Sequence, residues 1–359
     1  MGTPRLQVDL NKIHRNAGRL VELLGEKGIT VTGVTKVALG SPEVARTMVT
    51  AGVEYIGDSR IENIRRMREA GVSATFVLLR SPQMSSAAQV VQYADISHNT
   101  ELTVVAELSR AAQEQGKIHQ VVLMIELGDL REGIMPRDLA NTVRELIGMA
   151  GVRLSGIGTN LACFGGVSPD VHKMQELSDL AQSLETEFDI TLDTVSGGNS
   201  ANFDWLSGSA DPGRINNLRL GESILLGCET LRRTPIEGLH TDAIVLVAEV
   251  IESKIKPSVP SGKIFQDAFG AVPEFTDRGL INHAILGIGR QDVLVSGLTP
   301  LAEGLEIFGA SSDHIVVISN EERLGVGDEV SFRLSYGALL AAMTSPFVEK
   351  IYTNTQGNM

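Results

Sequence analysis

At 359 residues the chain is long enough for a large core and two domains. It is 43% hydrophobic and 21% charged, as in an ordinary globular protein, and its net charge of −13 argues against nucleic acid and anionic membrane surfaces as partners. The only cysteines, Cys163 and Cys228, have no metal-like or disulfide spacing, the N-terminus has no apolar signal core, and no apolar run could span a bilayer, so a cytoplasmic protein is expected.

The first candidate strand, at residues 5–10, contains LQVDL and is expected to join a distant sheet, because the elements after it follow another rhythm. From about residue 30 short β-rich runs alternate with amphipathic helical stretches: TGVTK (32–36), EYIGD (54–58), ATFVLLR (74–80), DISHN (95–99), VVLMIEL (121–127), LSGIGTN (154–160), LDTVSGG (192–198) and NLRLG (217–221). These strands are apolar throughout, as in a parallel sheet covered on both faces. Eight strand–helix units in about 200 residues match a (β/α)8 barrel, assigned to residues 11–235. A doubly wound sheet competes, but no Gly-rich phosphate turn follows the first strand. After residue 235 the texture changes to strands such as TDAIVLVAEVIESKIKP, HAILGIG and GDEVSFRL separated by turns, which predicts an all-β domain over 236–359.

Active sites of such barrels gather at the C-terminal ends of the strands. Polar residues stand at those ends here: Lys36, Asp58 to Arg60, Asn63, Asn99, Arg131, Asn160, Ser196 to Ser200 and Arg219. Lys36 closes an apolar run, where it either reaches solvent or is buried with a lowered pKa suited to forming a Schiff base. VSGGNSAN (195–202) and NLRLGESI (217–224) follow the seventh and eighth strands, the usual place for a glycine-opened phosphate cradle. A lysine at the first strand and a phosphate cradle at the last two suit pyridoxal 5'-phosphate.

With GVTK, DSRIEN, ELGDLREG, VSGGNS, NLRLGES, DAFG, GASSDH and SFRLSYGALL in place, the chain resembles the alanine racemase type of pyridoxal-phosphate enzymes, and within it the ornithine racemase branch, over nearly its whole length. The resemblance implies a racemase acting on a basic amino acid such as ornithine or lysine, and a homodimer in which each β-domain completes the partner's barrel mouth. It makes Lys36 the Schiff-base lysine and one catalytic base, and places Arg219 at the pyridine nitrogen and Arg131 at the phenolic oxygen. Asn160 takes a position under the ring, and Ser196, Gly198, Asn199, Ser200, Gly221 and Glu222 surround the phosphate. The phosphate-binding tyrosine after the lysine is missing, with Leu39 and Gly40 in that region, and Phe269 stands where the racemases have their second-base tyrosine. Asp267, Asp313 and His314 are therefore the candidate second bases, and a carboxylate in that role needs a pKa raised by burial. Glu222, Asp267 and Asp313 are the candidate anions for a basic side chain. The competing readings are a racemase of alanine or serine on the same fold, a pyridoxal-phosphate carrier without chemistry, whose known representatives are single-domain, and an aldolase or dehydratase. The latter two need a metal-binding His and Cys arrangement in the β-domain, where this chain has no cysteine.

Overall fold

The computed structural model describes residues 2–208, 211–320 and 323–354. The chain forms two compact units, one spanning Leu10–Thr241 and the other built from the segment up to Asp9 together with the chain from Asp242 onward.

The larger unit is a closed parallel barrel of eight strands, β2 (Thr30–Val34), β3 (Tyr55–Asp58), β4 (Thr75–Leu78), β5 (Ile96–Asn99), β6 (His119–Ile125), β7 (Val152–Thr159), β8 (Thr194–Ser196) and β9 (Asn217–Leu220), β9 pairing back onto β2. Helices alternate with them: α1 (Leu10–Gly25), α2 (Pro42–Thr50), α3 (Ile61–Glu69), α4 (Ala87–Tyr93), α5 (Leu102–Glu114), α6 (Leu139–Leu146), α7 (Val171–Phe188), α8 (Phe203–Ser207) and α9 (Glu222–Leu226). α1 shows why the sequence folds this way: Ile13, Ala17, Leu20 and Leu24 recur at helical spacing and all are buried. α2 starts where Ser41 Oγ accepts the Val44 N–H and Pro42 occupies the first turn. Successive strand residues face opposite ways. Val77, Ile96, Val122 and Met124 cluster with Tyr55 and Leu79 on the inward face, which fixes the orientation of their neighbours.

The smaller unit is an eight-stranded sheet that includes β1 (Arg5–Asp9), so the N-terminal strand joins the distant sheet. Its other strands are β10 (Ile244–Pro257), β11 (Leu280–Leu286), β12 (Leu298–Pro300), β13 (Leu305–Ala310), β14 (Ile315–Ser319), β15 (Glu329–Leu334) and β16 (Glu349–Thr353). Pairing is antiparallel except for β1 with β16. The sheet also carries a helix, α10 (Tyr336–Thr344), capped by Ser335 Oγ, which the all-β expectation omitted. Its segment ALLAAM is apolar all round and gives no helical period to read. The unit boundary lies at Thr241/Asp242 rather than after residue 235. The intervening residues stay with the barrel because Ile236 N–H donates to Gly227 O and Asn16 exchanges hydrogen bonds with the His240 backbone.

Candidate active site

The strand ends bring most of the sequence-derived candidates to one mouth of the barrel. β2 stops at Val34, and Lys36 opens a short 3-10 turn, Lys36–Ala38. Lys36 is exposed in this chain, so its side chain is not a buried, desolvated lysine. Thr35 anchors the turn: its N–H donates to Gly57 O, and its hydroxyl donates to Asp58 Oδ2 at 2.8 Å. Asp58 also accepts from Asn63 Nδ2 and the Arg60 N–H. Burial raises the Asp58 carboxyl above its ordinary range, these hydrogen bonds opposing it. Asp58 and Asn63 therefore support the lysine turn from outside the barrel and do not belong to the mouth. Asn99 is likewise outward-facing, donating to Ser97 O and Ser97 Oγ on its own strand.

Arg219 is an inward residue of β9 and is almost fully buried. Its Nη1 donates to Ser196 Oγ at 2.6 Å, and Nη2 donates to Thr159 O at 2.7 Å and Asn160 Oδ1 at 3.2 Å. Ser196 passes the chain on to Asn217 Oδ1, whose amide donates to Thr32 Oγ1. A hydrogen-bonded band thus crosses from β7 through β8 and β9 to β2. Burial, with Arg131 adding to it, pushes the Arg219 guanidinium down to about 10. His98, inward on β5, is buried and held well below its usual range by burial and by Arg219. Among the described residues, Asn160 Nδ2 is a buried donor without an acceptor.

Asn199 Nδ2 reaches Asn160 Oδ1 and Leu161 O, while its own Oδ1 accepts from the Ala201 N–H, capping the turn Ser200–Asn202. Gly198 has φ +145°, and a Cβ there would lie 2.2 Å from Asn202 Oδ1, so no other residue fits this bend. Ser200 Oγ and Ser223 Oγ, both buried, are 3.0 Å apart. Gly221 packs on the end of β2, where a Cβ would stand 3.1 Å from Val34 Cβ. Glu222, the next residue, is buried and pairs with Arg233 Nε at 3.2 Å.

Arg131 lies in the loop after β6, paired with Glu132 and with Nη1 2.7 Å from Cys163 Sγ. Burial works against its charge, but Glu132 and Cys163 raise it overall. The loop is held by buried Asp129, whose carboxylate accepts N–H groups of Cys163, Phe164, Gly165 and Val167. Cys163 is exposed.

A family model for alanine racemase, N-terminal domain, matches residues 8–228. The chain belongs to the alanine racemase N-terminal domain family. It is 39% identical to an ornithine racemase of Acetoanaerobium sticklandii over 97% of this chain and 99% of that one. It is 40% identical to a lysine racemase of Thermotoga maritima over 97% of this chain and 98% of that protein. Among solved structures, the alanine racemase of Clostridium difficile 630 shares the fold with a TM-score of 0.76 at 19% identity, covering 99% of this chain and 97% of that one. An alanine racemase from Bartonella henselae with covalently bound pyridoxal phosphate has a TM-score of 0.74 at 16% identity, covering 98% of this chain and all of that one, 100%.

Within this family chain the β-domain candidates behave differently from one another. Asp267 accepts the N–H groups of Phe269 and Ala271, and these backbone hydrogen bonds hold its carboxyl below the usual range. That is opposite to the shift a carboxylate base requires, so Asp267 is a turn-forming residue in this chain. Asp313 and His314 sit on an exposed turn between β13 and β14; Asp313 accepts from Gln291 Nε2 and Ser312 Oγ at 2.7 Å each, and the His314 N–H donates to Ser311 Oγ. Phe269 is half-exposed beneath the Arg290 guanidinium. Sequence reasoning missed Asp129, Asn217, His98 and Ser223. Asn217 and Arg219 share one face of a strand by their spacing of two, a signal present in NLRLG; Asp129 stands inside the quoted motif ELGDLREG, but nothing local gave it a role.

Proposed function

We propose that the protein is a pyridoxal-phosphate-dependent racemase of a basic amino acid, ornithine or lysine. The observation that carries the reading is Arg219, buried and braced by Ser196, Thr159 and Asn160 at the mouth where Lys36 stands exposed. The full-length similarity to ornithine and lysine racemases supports the substrate class. The unpartnered Asn160 Nδ2 and the Ser200–Ser223 hydroxyl pair beside the bend at Gly198 fit the polar edge and the phosphate of this cofactor. When bound, the cofactor supplies an electron sink for the charge left on the substrate α-carbon.

Lys36 would tether the cofactor and accept the α-proton at Nζ on one face of the substrate. Arg219, a cation held against the ring nitrogen, would keep that nitrogen unprotonated and so restrain transamination. Arg131 would lie at the phenolic oxygen and Asn160 under the ring. Ser196 and Asn199 would hold these groups in place, while Ser200 and the Gly198 and Gly221 backbones take the phosphate. With Asp267 committed to its turn, Asp313 or His314, supplied by the partner of a homodimer, would hold or deliver the proton on the opposite face.

The test is incubation of the purified protein with L-ornithine, L-lysine and L-alanine, with chiral chromatography as the readout. A basic side chain meeting an opposite charge in a partly desolvated mouth gains upward of about 1.4 kcal/mol, so ornithine or lysine should turn over about tenfold faster than alanine or more. Borohydride should fix pyridoxyl on Lys36. Alanine as best substrate would reject the substrate class; pyridoxyl on another lysine would reject the site; tight cofactor binding with no D-amino acid formed would favour a carrier.

A further inference from the structure

Arg131 stands on a loop that is closed on itself and joined to its neighbour. After β6, the Glu126 N–H donates to Ile134 O, the Ile134 N–H donates to Met124 O, and Glu126 Oε1 accepts the N–H groups of Gly128 and Leu130. Gly133 permits this closure, since a Cβ there would lie 2.4 Å from Glu126 N. The carboxylate of buried Asp129 crosses to the loop after β7, taking the N–H groups of Cys163, Phe164, Gly165 and Val167, and the Asp129 carbonyl also accepts from the Gly165 N–H. Two non-glycine residues flank this joint in the left-handed conformation, Leu130 at φ +55° and Ala162 at φ +53°. Such backbone persists only where the surroundings over-determine it. Leu130 precedes Arg131 and Ala162 precedes Cys163, and beyond these bends Arg131 Nη1 donates to Cys163 Sγ at 2.7 Å. The β7 loop is tied to the mouth at its start, where Asn199 Nδ2 donates to Leu161 O and Asn160 Oδ1 accepts from Arg219.

The guanidinium is fixed separately from the backbone. Glu132 accepts from Arg131 Nε with one oxygen and from Nη2 with the other. With Nη1 at Cys163, every nitrogen of the guanidinium is engaged among the described residues, and each terminal nitrogen keeps one further N–H. We infer that Asp129 and Glu132 are positioning residues that aim Arg131 before any ligand arrives, Asp129 by fixing its backbone and Glu132 by fixing its guanidinium. The inference rests on the proposed place of Arg131 at the cofactor's phenolic oxygen. A loose arginine has much rotamer freedom, and immobilising it on binding weakens affinity. A guanidinium already held, with an N–H left on each terminal nitrogen, meets an oxyanion without that loss. Neither acid touches the cofactor in this role, since Asp129 is taken up by backbone donors and both Glu132 oxygens face Arg131.

The first measurement needs neither cofactor nor turnover. Phenylglyoxal attacks the neutral form of a guanidinium, so a carboxylate paired with it slows the reaction. The rate at Arg131 is read by peptide mass spectrometry on the cofactor-free protein, with exposed Arg137 as the internal reference. Glu132→Gln should speed modification of Arg131 about threefold or more, and Glu132→Asp, which keeps the charge, should restore part of the protection. Asp129→Asn should also speed it, and the double variant should add little to either single one, because both act through one clamp. An unchanged rate in Glu132→Gln, or effects that multiply in the double variant, would overturn the inference. Should Asp129→Asn fail to fold, Gly165→Ala prises the same joint, its Cβ standing 2.8 Å from Asp129 O; a faster rate supports the part given to Asp129 and an unmoved one ends it. The second measurement is binding of pyridoxal 5'-phosphate, followed by quenching of Trp205, the single tryptophan. Glu132→Gln should weaken it about threefold or more while its urea midpoint stays that of the wild type, since a partly exposed ion pair adds little stability. Wild-type affinity in Glu132→Gln, with Arg131 shielded from phenylglyoxal by the cofactor, would overturn the positioning role. Cofactor that leaves Arg131 unshielded in the wild type would instead refute its place at the phenolic oxygen, leaving the measurement of the clamp intact.

Discussion

Arg219 illustrates how much one side chain can hold at this mouth. Its fork joins β9 to Ser196 on β8 and to the β7 carbonyl of Thr159, so its loss removes charge and strands two buried partners together. Hydrogen bonds to a charged group contribute about 1.5–3 kcal/mol each, and neither Lys nor Gln reproduces the planar two-nitrogen geometry. Arg219→Gln should therefore unfold in urea with a stability lower by about 1–3 kcal/mol. Under the proposed role of Arg219 at the ring nitrogen, it should also lose racemisation while gaining keto-acid by-product, since the cation proposed to keep that nitrogen unprotonated is gone. A variant with wild-type stability and an unchanged ratio of D-amino acid to keto acid would place Arg219 away from the chemistry.

Between elements, β5 and β6 are joined on their outward side by a buried polar cluster: Ser97 Oγ lies 2.7 Å from His119 Nε2, and Asn99 donates to the same Ser97. Burial depresses the His119 imidazole to about 4, Asp95 opposing and Lys117 adding to the drop. The folded chain therefore binds this proton less readily than the unfolded chain, whose imidazole titrates near 6.5. The associated stability is fully present above about pH 6.5 and is lost as pH falls from there through about 4. The shift corresponds to about 2 kcal/mol lost between pH 7 and pH 5, and His98 acts in the same direction. Urea unfolding of His119→Gln at the two pH values should show an acid loss smaller by about that amount. Equal acid sensitivity in wild type and variant would remove His119 as the source.

For the whole molecule, the question is what the β-domain does with its apolar surface. Ile255, Ile264, Phe265, Val272, Phe275 and Leu280 are all exposed in the single chain. All six fall within residues 255–280, the ends of β10 and β11 and the segment joining them, and exposed large apolar side chains concentrated in one segment suit an interaction surface. This supports the proposed homodimer, in which one chain's Lys36 works with the partner chain's turn at Asp313 and His314. Lys36→Ala and Asp313→Ala proteins, each inactive alone, should regain up to about a quarter of wild-type activity on mixing. Random assembly makes half the dimers mixed, and each mixed dimer has one intact site. No recovery after confirmed subunit exchange would mean that each site is built from a single chain.

The local pattern of the chain determined the architecture: apolar strands alternating with amphipathic helices imply a parallel sheet covered on both faces, the eight units and the missing Gly-rich turn favour a barrel over a doubly wound sheet, and the later strands form a separate sheet. It also marked Lys36, Arg219 and the turns at Gly198 and Gly221, because strand ends and glycine bends are short-range features. It missed α10, whose uniformly apolar run has no period. It also placed Asp58 and Asn99 in the mouth, because a polar residue at a strand end looks the same whichever way it faces. Only the tertiary structure decided that Asp58 braces the lysine turn from outside, that Asp129 gathers a loop more than thirty residues away, that Asp267 serves its own turn, and that Arg233 meets Glu222. Such assignments depend on strand register, on the direction of a side chain and on contacts between distant segments. Those are set by packing the whole chain at once, whereas hydrophobic period and turn chemistry are set by residues a few positions apart.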